Sequence, residues 1–311
     1  MFLILNINPR KYQMSKSEIL QKKLHQNSIV KVGGAFDAMS AKLVENAGFD
    51  AVWAGGFAIS ATHALPDASI LTMTEFLDAA SIMTNACDIP IIADCDTGYG
   101  GPSNVAHMVR KYESAGISSI CIEDKIFPKQ NSLLEGGKND LISEKEFVAK
   151  ILAANEAKNN KDFLIIARIE ALISGLGMKE ALKRADAYEN AGADAILIHS
   201  KQKNPDEIFE FTDNWKGTIP IVAIPTTYDG VKLDELHNHK IKMVIYANQT
   251  LRVAYSAMED LLKEMITTEK ISDVKQKMSG MDKIFELQEM YDIKNKEKNL
   301  EAELKKLGYI N

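Results

Sequence analysis

Three cysteines, Cys87, Cys95 and Cys121, are too few and too unevenly spaced for a disulfide framework or a zinc knuckle. They read as buried thiols of a reducing compartment. No apolar run approaches the length of a membrane span, and the opening Met1-Phe2-Leu3-Ile4-Leu5-Asn6 lacks the basic flank and the length of a secretion signal. A cytoplasmic location is therefore expected. A long basic run is also missing and the formal net charge is -6, which argues against nucleic acid or an anionic membrane as partner, since both need a positive footprint. A small anionic substrate stays open because it responds to local charge. Glycine and proline are sparse, 18 and 8 in 311 residues, while 46% of the chain is hydrophobic, enough to bury one large core.

What the chain does contain is a regular alternation. Apolar and β-branched runs at 29–36, 51–57, 90–96, 118–124, 163–169, 195–200, 219–224 and 242–248 are mostly continuous, as expected of parallel strands covered on both faces. Helical patterns fill the intervals. Asn46-Ala47-Gly48, Ser114-Ala115-Gly116 and Asn190-Ala191-Gly192 each end a helix shortly before a strand, with glycine as the left-handed cap. Thr72-x-x-Glu75 and Ser143-x-x-Glu146 have capping-box spacing at helix starts, and Ser15-x-x-Glu18 offers a third.

Eight strands alternating with helices predict a (β/α)8 barrel. A doubly wound sheet would need a glycine-rich phosphate turn after its first strand, and Val32-Gly33-Gly34-Ala35-Phe36-Asp37 does not have that spacing. The expected organisation is a single domain over 1–311, with a helical lead-in at 1–27, the barrel at 28–264 and a helical extension at 265–311. That extension, rich in Lys and Glu with apolar returns at Met281, Ile284, Phe285 and Tyr291, reads as amphipathic helices for docking on the barrel or on a neighbouring subunit.

Barrel chemistry sits at the C-terminal strand ends, and here those ends are loaded. The third carries Asp94-Cys95-Asp96, the fourth Glu123-Asp124, the fifth Arg168 and the sixth His199, so four carboxylates, an Arg and a His are expected at one mouth. Asp94 and Asp96, two apart, share a strand face. They either cap the next helix or hold a hard cation such as Mg2+. Arg168 needs an anion or a carboxylate partner such as Glu170, and His199 is either a ligand or a satisfied core histidine. The stretch from Lys125 to Ile142, with Pro128, Gly136 and Gly137, is long for a βα connection and reads as a lid or as a plain loop.

The segment Glu123-Asp124-Lys125-Ile126-Phe127-Pro128-Lys129-Gln130-Asn131-Ser132, together with Asp94-Cys95-Asp96-Thr97-Gly98-Tyr99-Gly100 and Pro66-Asp67, resembles the phosphoenolpyruvate mutase family of the isocitrate lyase superfamily. The resemblance spans roughly Val30 to Asn248. It implies a dimer or tetramer with an exchanged C-terminal helix, and conversion of phosphoenolpyruvate to phosphonopyruvate with Mg2+. It further implies that Asp94 contacts the metal while Asp67, Asp96 and Glu123 hold its waters. Arg168, His199, Asn131 and Ser132 would surround the phosphoryl group, and Lys129 would belong to a gating loop. Backbone around Gly55 and Gly56 would receive the substrate carboxylate, with Trp53 beneath. The chain departs from the pattern at Gly55, where such mutases commonly have Ser. Phosphonopyruvate hydrolases of the family tend to have Thr at the place of Asn131, and the carbon–carbon lyases carry a catalytic Cys in this loop, which has none here.

Overall fold

A continuous apolar strand must be covered on both faces, and a helix between each pair of strands supplies the outer cover while the strands close on themselves. The computed structural model describes residues 14–310; the opening 1–13, with the first part of the expected lead-in, lies outside the described residues. Eight strands, β1 (Val30–Ala35), β2 (Ala51–Ala54), β3 (Ile91–Asp94), β4 (Ser119–Glu123), β5 (Leu164–Ile169), β6 (Ala195–Ile198), β7 (Ile221–Ala223) and β8 (Ile241–Tyr246), form a closed parallel barrel in sequence order. β1 pairs with β8 to shut the ring, Val30 opposite Met243. The expected (β/α)8 fold is the observed one.

Most strands stop earlier than their apolar runs. β3 ends at Asp94, and Asp96 already lies at φ 48°, because the chain turns there to build the mouth. Helix signals are realised where expected. Thr72 caps Met73–Ala86 and Ser143 caps Glu144–Ala157 with both hydrogen bonds of the capping box, whereas Ser15 accepts from the Glu18 N–H at the start of Lys16–Leu24. Gly48, Gly116 and Gly192 sit at φ 80–92° just past their helices, which only glycine adopts without strain.

Alternation along the strands divides the interior into two cores. Trp53, Ile92, Cys121, Ile166, Leu197 and Met243 point into the barrel, joined by Leu20 and Leu24 of the helix Lys16–Leu24. Val52, Ala93, Ile120, Ile165 and Ile196 point outward to the helices. A period of two then dictates what stands at the top. Ile92 leads to Asp94 and Asp96, Cys121 to Glu123, Ile166 to Arg168 and Glu170, and Leu197 to His199. The same count corrects one expectation, for Asp124 follows the outward Ile122 and does not join the mouth. It is fully buried behind the wall, accepting from Tyr188 Oη at 2.8 Å, Arg184 Nη1 at 3.0 Å and the Glu170 N–H at 2.9 Å.

The chain divides into two compact units, the break falling between Thr250 and Leu251. The second comprises most of the helix Gln249–Met265, a 3-10 turn at Ile271–Lys277, and the helices Met281–Leu287 and Met290–Lys306. Tyr255, Met258 and Leu262, spaced along one face of the first of these, are exposed. No described helix is long and apolar enough to cross a membrane.

Removing Asp124 leaves Arg184 with Glu180 as its carboxylate partner and takes the acceptor from Tyr188 Oη and the buried Glu170 N–H. Asp124→Ala is expected to lower folding stability by roughly 3 kcal/mol, measured by urea denaturation; a loss below about 0.5 kcal/mol, as at an ordinary surface site, would remove this account of the outer network.

Candidate active site

Strand tops and the β4 loop enclose a cavity of about 580 Å3. Nine of the twelve expected site residues line it, and Asp96, Glu123 and Gly56 stand behind its wall. The β4 loop, which runs from Lys125 to Ile142, is held at its base by one antiparallel bridge, Lys125 opposite Leu141: the Ile126 N–H donates to Asp140 O at 2.9 Å and the Ile142 N–H donates to Asp124 O at 3.0 Å. Its inner side chains Lys125, Lys129 and Ser132 are buried, while Ile126, Phe127, Leu133 and Leu134 are exposed.

One half of the site is acidic. Lys129 Nζ donates to Asp67 Oδ1 at 2.5 Å and lies 3.2 Å from Asp96 Oδ1, and Asn131 Nδ2 donates to the other Asp67 oxygen at 2.7 Å. Burial opposes charge on Lys129, but Asp96, Glu123 and Asp67 outweigh it and raise its pKa. Burial pushes the Asp96 carboxyl up to about 6 against the pull of Lys129, and Glu123 up to about 7 against that of Arg168. Ser69, absent from the sequence reading, accepts from the Lys129 N–H at 3.1 Å and donates to Asp96 Oδ2 at 3.4 Å.

The other half is basic. Arg168 Nε donates to Glu170 Oε1 at 2.5 Å and lies 3.4 Å from Glu123 Oε2, while its Nη2 donates to Ser132 Oγ at 3.2 Å and stands 2.9 Å from His199 Nδ1. Burial alone would raise the Glu170 pKa, yet Arg168 and then His199 hold it well below the usual carboxylate range. His199 is lowered by burial in spite of Glu170 and is neutral near pH 7. Lys125 Nζ donates to Ser132 Oγ at 2.6 Å and to Gln130 O at 2.8 Å. The Ser132 hydroxyl thus accepts twice and donates once, to Glu170 Oε2 at 2.7 Å, which uses its full hydrogen-bonding capacity.

The Gly55 and Gly56 backbone groups have partners as well. The Gly55 N–H donates to Ala35 O at 3.4 Å and the Gly56 N–H to Asp94 Oδ2 at 3.2 Å. A Cβ at Gly55 would meet Trp53 Cδ1 and Nε1 at 2.9 Å, so the indole fills the space that a serine side chain would need.

A hard cation fits the acidic half. Asp96 Oδ1 and Glu123 Oε1 are buried with no hydrogen-bond donor, the 3.2 Å approach of Lys129 to Asp96 being an ion pair without hydrogen-bond geometry. A Cβ at residue 56 would stand 3.3 Å from both Asp94 Oδ2 and Asp96 Oδ1, so glycine keeps the space before these carboxylates open. Among the described residues no three His, Cys, Asp or Glu side chains converge closely enough to hold a metal ion by themselves.

Comparison with known proteins agrees with this geometry. Residues 20–266 match the family described as phosphoenolpyruvate phosphomutase. The phosphonopyruvate hydrolase of Variovorax sp. (strain Pal2) is 42% identical over 276 residues, covering 88% of this chain and 95% of that enzyme. Among solved structures, phosphoenolpyruvate phosphomutase from Streptomyces platensis subsp. rosaceus aligns with TM-score 0.89 and 42% identity over 91% of this chain and 98% of that one. A phosphonopyruvate hydrolase in complex with oxalate and Mg2+ aligns with TM-score 0.85 and 40% identity, again over 91% and 98%. A barrel with these strand ends defines an enzyme of the phosphoenolpyruvate mutase/isocitrate lyase superfamily. Within it, the chain belongs to the phosphoenolpyruvate phosphomutase family.

The raised carboxyls make divalent-cation binding pH-dependent. At pH 8 Asp96 and Glu123 are ionised, whereas at pH 6 Glu123 is mostly protonated and Asp96 about half, and the incoming cation must displace those protons. Affinity is expected to fall about twentyfold from pH 8 to pH 6, read by calorimetric titration; equal affinities at the two pH values would contradict the assignment.

Proposed function

We propose that this chain is a phosphoenolpyruvate mutase, interconverting phosphoenolpyruvate and phosphonopyruvate with Mg2+, the carbon–phosphorus bond-forming entry to phosphonate biosynthesis. The bond between phosphorus and the enol oxygen breaks with its electron pair left on oxygen, giving a pyruvate enolate. The enolate C3 then supplies the pair for the phosphorus–carbon bond, and no proton is consumed. Bound Mg2+ would supply Lewis-acid stabilisation of the enolate oxygen. Asp94 would hold it directly, and Asp67, Asp96 and Glu123 through water.

The transferring group is loose and metaphosphate-like. Arg168 is the fixed cation for its oxygens and His199 and Asn131 are the neighbouring polar groups, each such contact being worth roughly 3 kcal/mol in a dry site. Lys129 closes the acidic side, and the β4 loop keeps water away. The observation that carries the mutase reading is the grip of that loop on Asp67. Asn131 and Lys129 donate to its two oxygens at 2.7 and 2.5 Å, so the carboxylate is engaged and poorly placed to activate a water. Phosphonopyruvate hydrolase is the second reading, supported by the 42% identical relative of that activity.

Purified protein given phosphonopyruvate and Mg2+ is expected to yield phosphoenolpyruvate by phosphorus NMR, and Asn131→Thr is expected to divert part of the turnover to pyruvate and phosphate. Pyruvate and phosphate from the parent protein would move the assignment to the hydrolase.

We also read the exposed face of Tyr255, Met258 and Leu262 as a subunit contact in a homodimer or homotetramer that exchanges C-terminal helices. Light scattering is expected to give two or four chain masses of 34.5 kDa, and Met258→Asp with Leu262→Asp is expected to release monomers. A monomeric parent would end this reading.

A further inference from the structure

One densely connected side chain near the mouth does not reach the cavity. Glu170 is fully buried behind Arg168, His199 and Ser132, which line the cavity wall. Its Oε1 accepts from Arg168 Nε at 2.5 Å and lies 2.8 Å from His199 Nδ1, and its Oε2 accepts from Ser132 Oγ at 2.7 Å with Lys125 Nζ 3.7 Å away. Arg168 and His199 come from strand tops, whereas Ser132 and Lys125 belong to the β4 loop. One carboxylate therefore joins the anion-binding groups to the covering loop.

The far side of the loop ends on the same segment. Ser174 Oγ lies 2.5 Å from Asn139 O and 3.0 Å from Glu170 O, so both limbs of the loop meet the chain just after β5. If the loop lifted, Glu170 Oε2 would lose its Ser132 donor and Arg168 Nη2 one acceptor. Both losses would fall on side chains that are buried or nearly so, where an unmade bond to a charged group is costly. Loop seating and cation alignment are then one event.

We propose that Glu170 is a positioning residue that couples closure of the β4 loop to the alignment of Arg168 and His199 on a phosphoryl or phosphonyl group. Its effect on turnover rests on the mutase reading, but the coupling itself can be read without substrate. Lys129 is buried in the seated loop and Lys138 is exposed, so trypsin cleavage after Lys129, measured against that after Lys138, reports how often the loop lifts. In the full-length protein, Glu170→Gln is expected to raise that cleavage rate about tenfold, the size of one lost charge-assisted hydrogen bond, while the thermal transition stays single and cooperative. Lys125→Met, which cuts the clamp on Ser132 and Gln130, is expected to raise cleavage similarly, and it decides the matter should Glu170→Gln not fold.

With phosphonopyruvate and Mg2+, Glu170→Gln is expected to lower kcat and raise KM, each about tenfold. Glu170→Asp, one methylene too short to reach Arg168 and Ser132 together, is expected to rescue neither. Cleavage within twofold of the parent in both loop variants would overturn the proposal. So would full recovery by Glu170→Asp, because then only the negative charge matters. A parent protein without turnover on phosphonopyruvate would remove the mutase reading, and the cleavage rates would still decide the coupling.

Discussion

Charge in a dry cavity must be balanced within a few ångströms, and the mouth of this barrel is arranged around that constraint. Asp67, Asp94, Asp96, Glu123 and Glu170 face Lys125, Lys129 and Arg168, five carboxylates against three cations, which leaves two negative charges in excess. The excess is localised. Glu170 is tied to Arg168 and driven well below the usual range, while Asp96 and Glu123 are pushed up to about 6 and about 7. Burial is what lifts both carboxyls, and each leaves a buried oxygen without a donor.

The barrel makes this concentration of charge tolerable. Asp94, Glu123 and Arg168 each extend an inward row whose lower members are apolar, Ile92, Cys121 and Ile166 respectively. The core beneath is dry and close-packed, so the groups above it cannot relax toward water. They are held in register by the neighbouring strands, Glu123 opposite Arg168 across the β4–β5 pair. The outer network of Asp124, Arg184 and Tyr188 fixes the same strand ends from behind and shares the Glu170 backbone N–H with them.

Much of this was readable from the residues. Continuous apolar runs predicted every strand, the Ala-Gly helix ends predicted the left-handed caps, and two acidic strand ends with an Arg and a His predicted the mouth. The misreadings have physical causes. Asp124 reads together with Glu123 as one acidic strand end, although neighbouring strand residues face opposite sides of the wall. Glu170 could be read only as a partner of Arg168, since Ser132 and His199 reach it from 38 and 29 positions away. Lys125 stands in the segment that carries the resemblance but has no role there, since a lysine in a polar stretch looks solvated until the fold buries it. The contact of Trp53 with the site of Gly55 is likewise a rotamer, and a sequence holds no rotamers.

The paired base of the β4 loop has a consequence for how the enzyme can be altered. Because Ile126 and Ile142 are bonded across the base to Asp140 and Asp124, the segment between them behaves as a ring closed on itself, whose entropy depends only weakly on its circumference. The exposed tip around Glu135, Gly136 and Lys138 can then lengthen or shorten with little effect on the closed base.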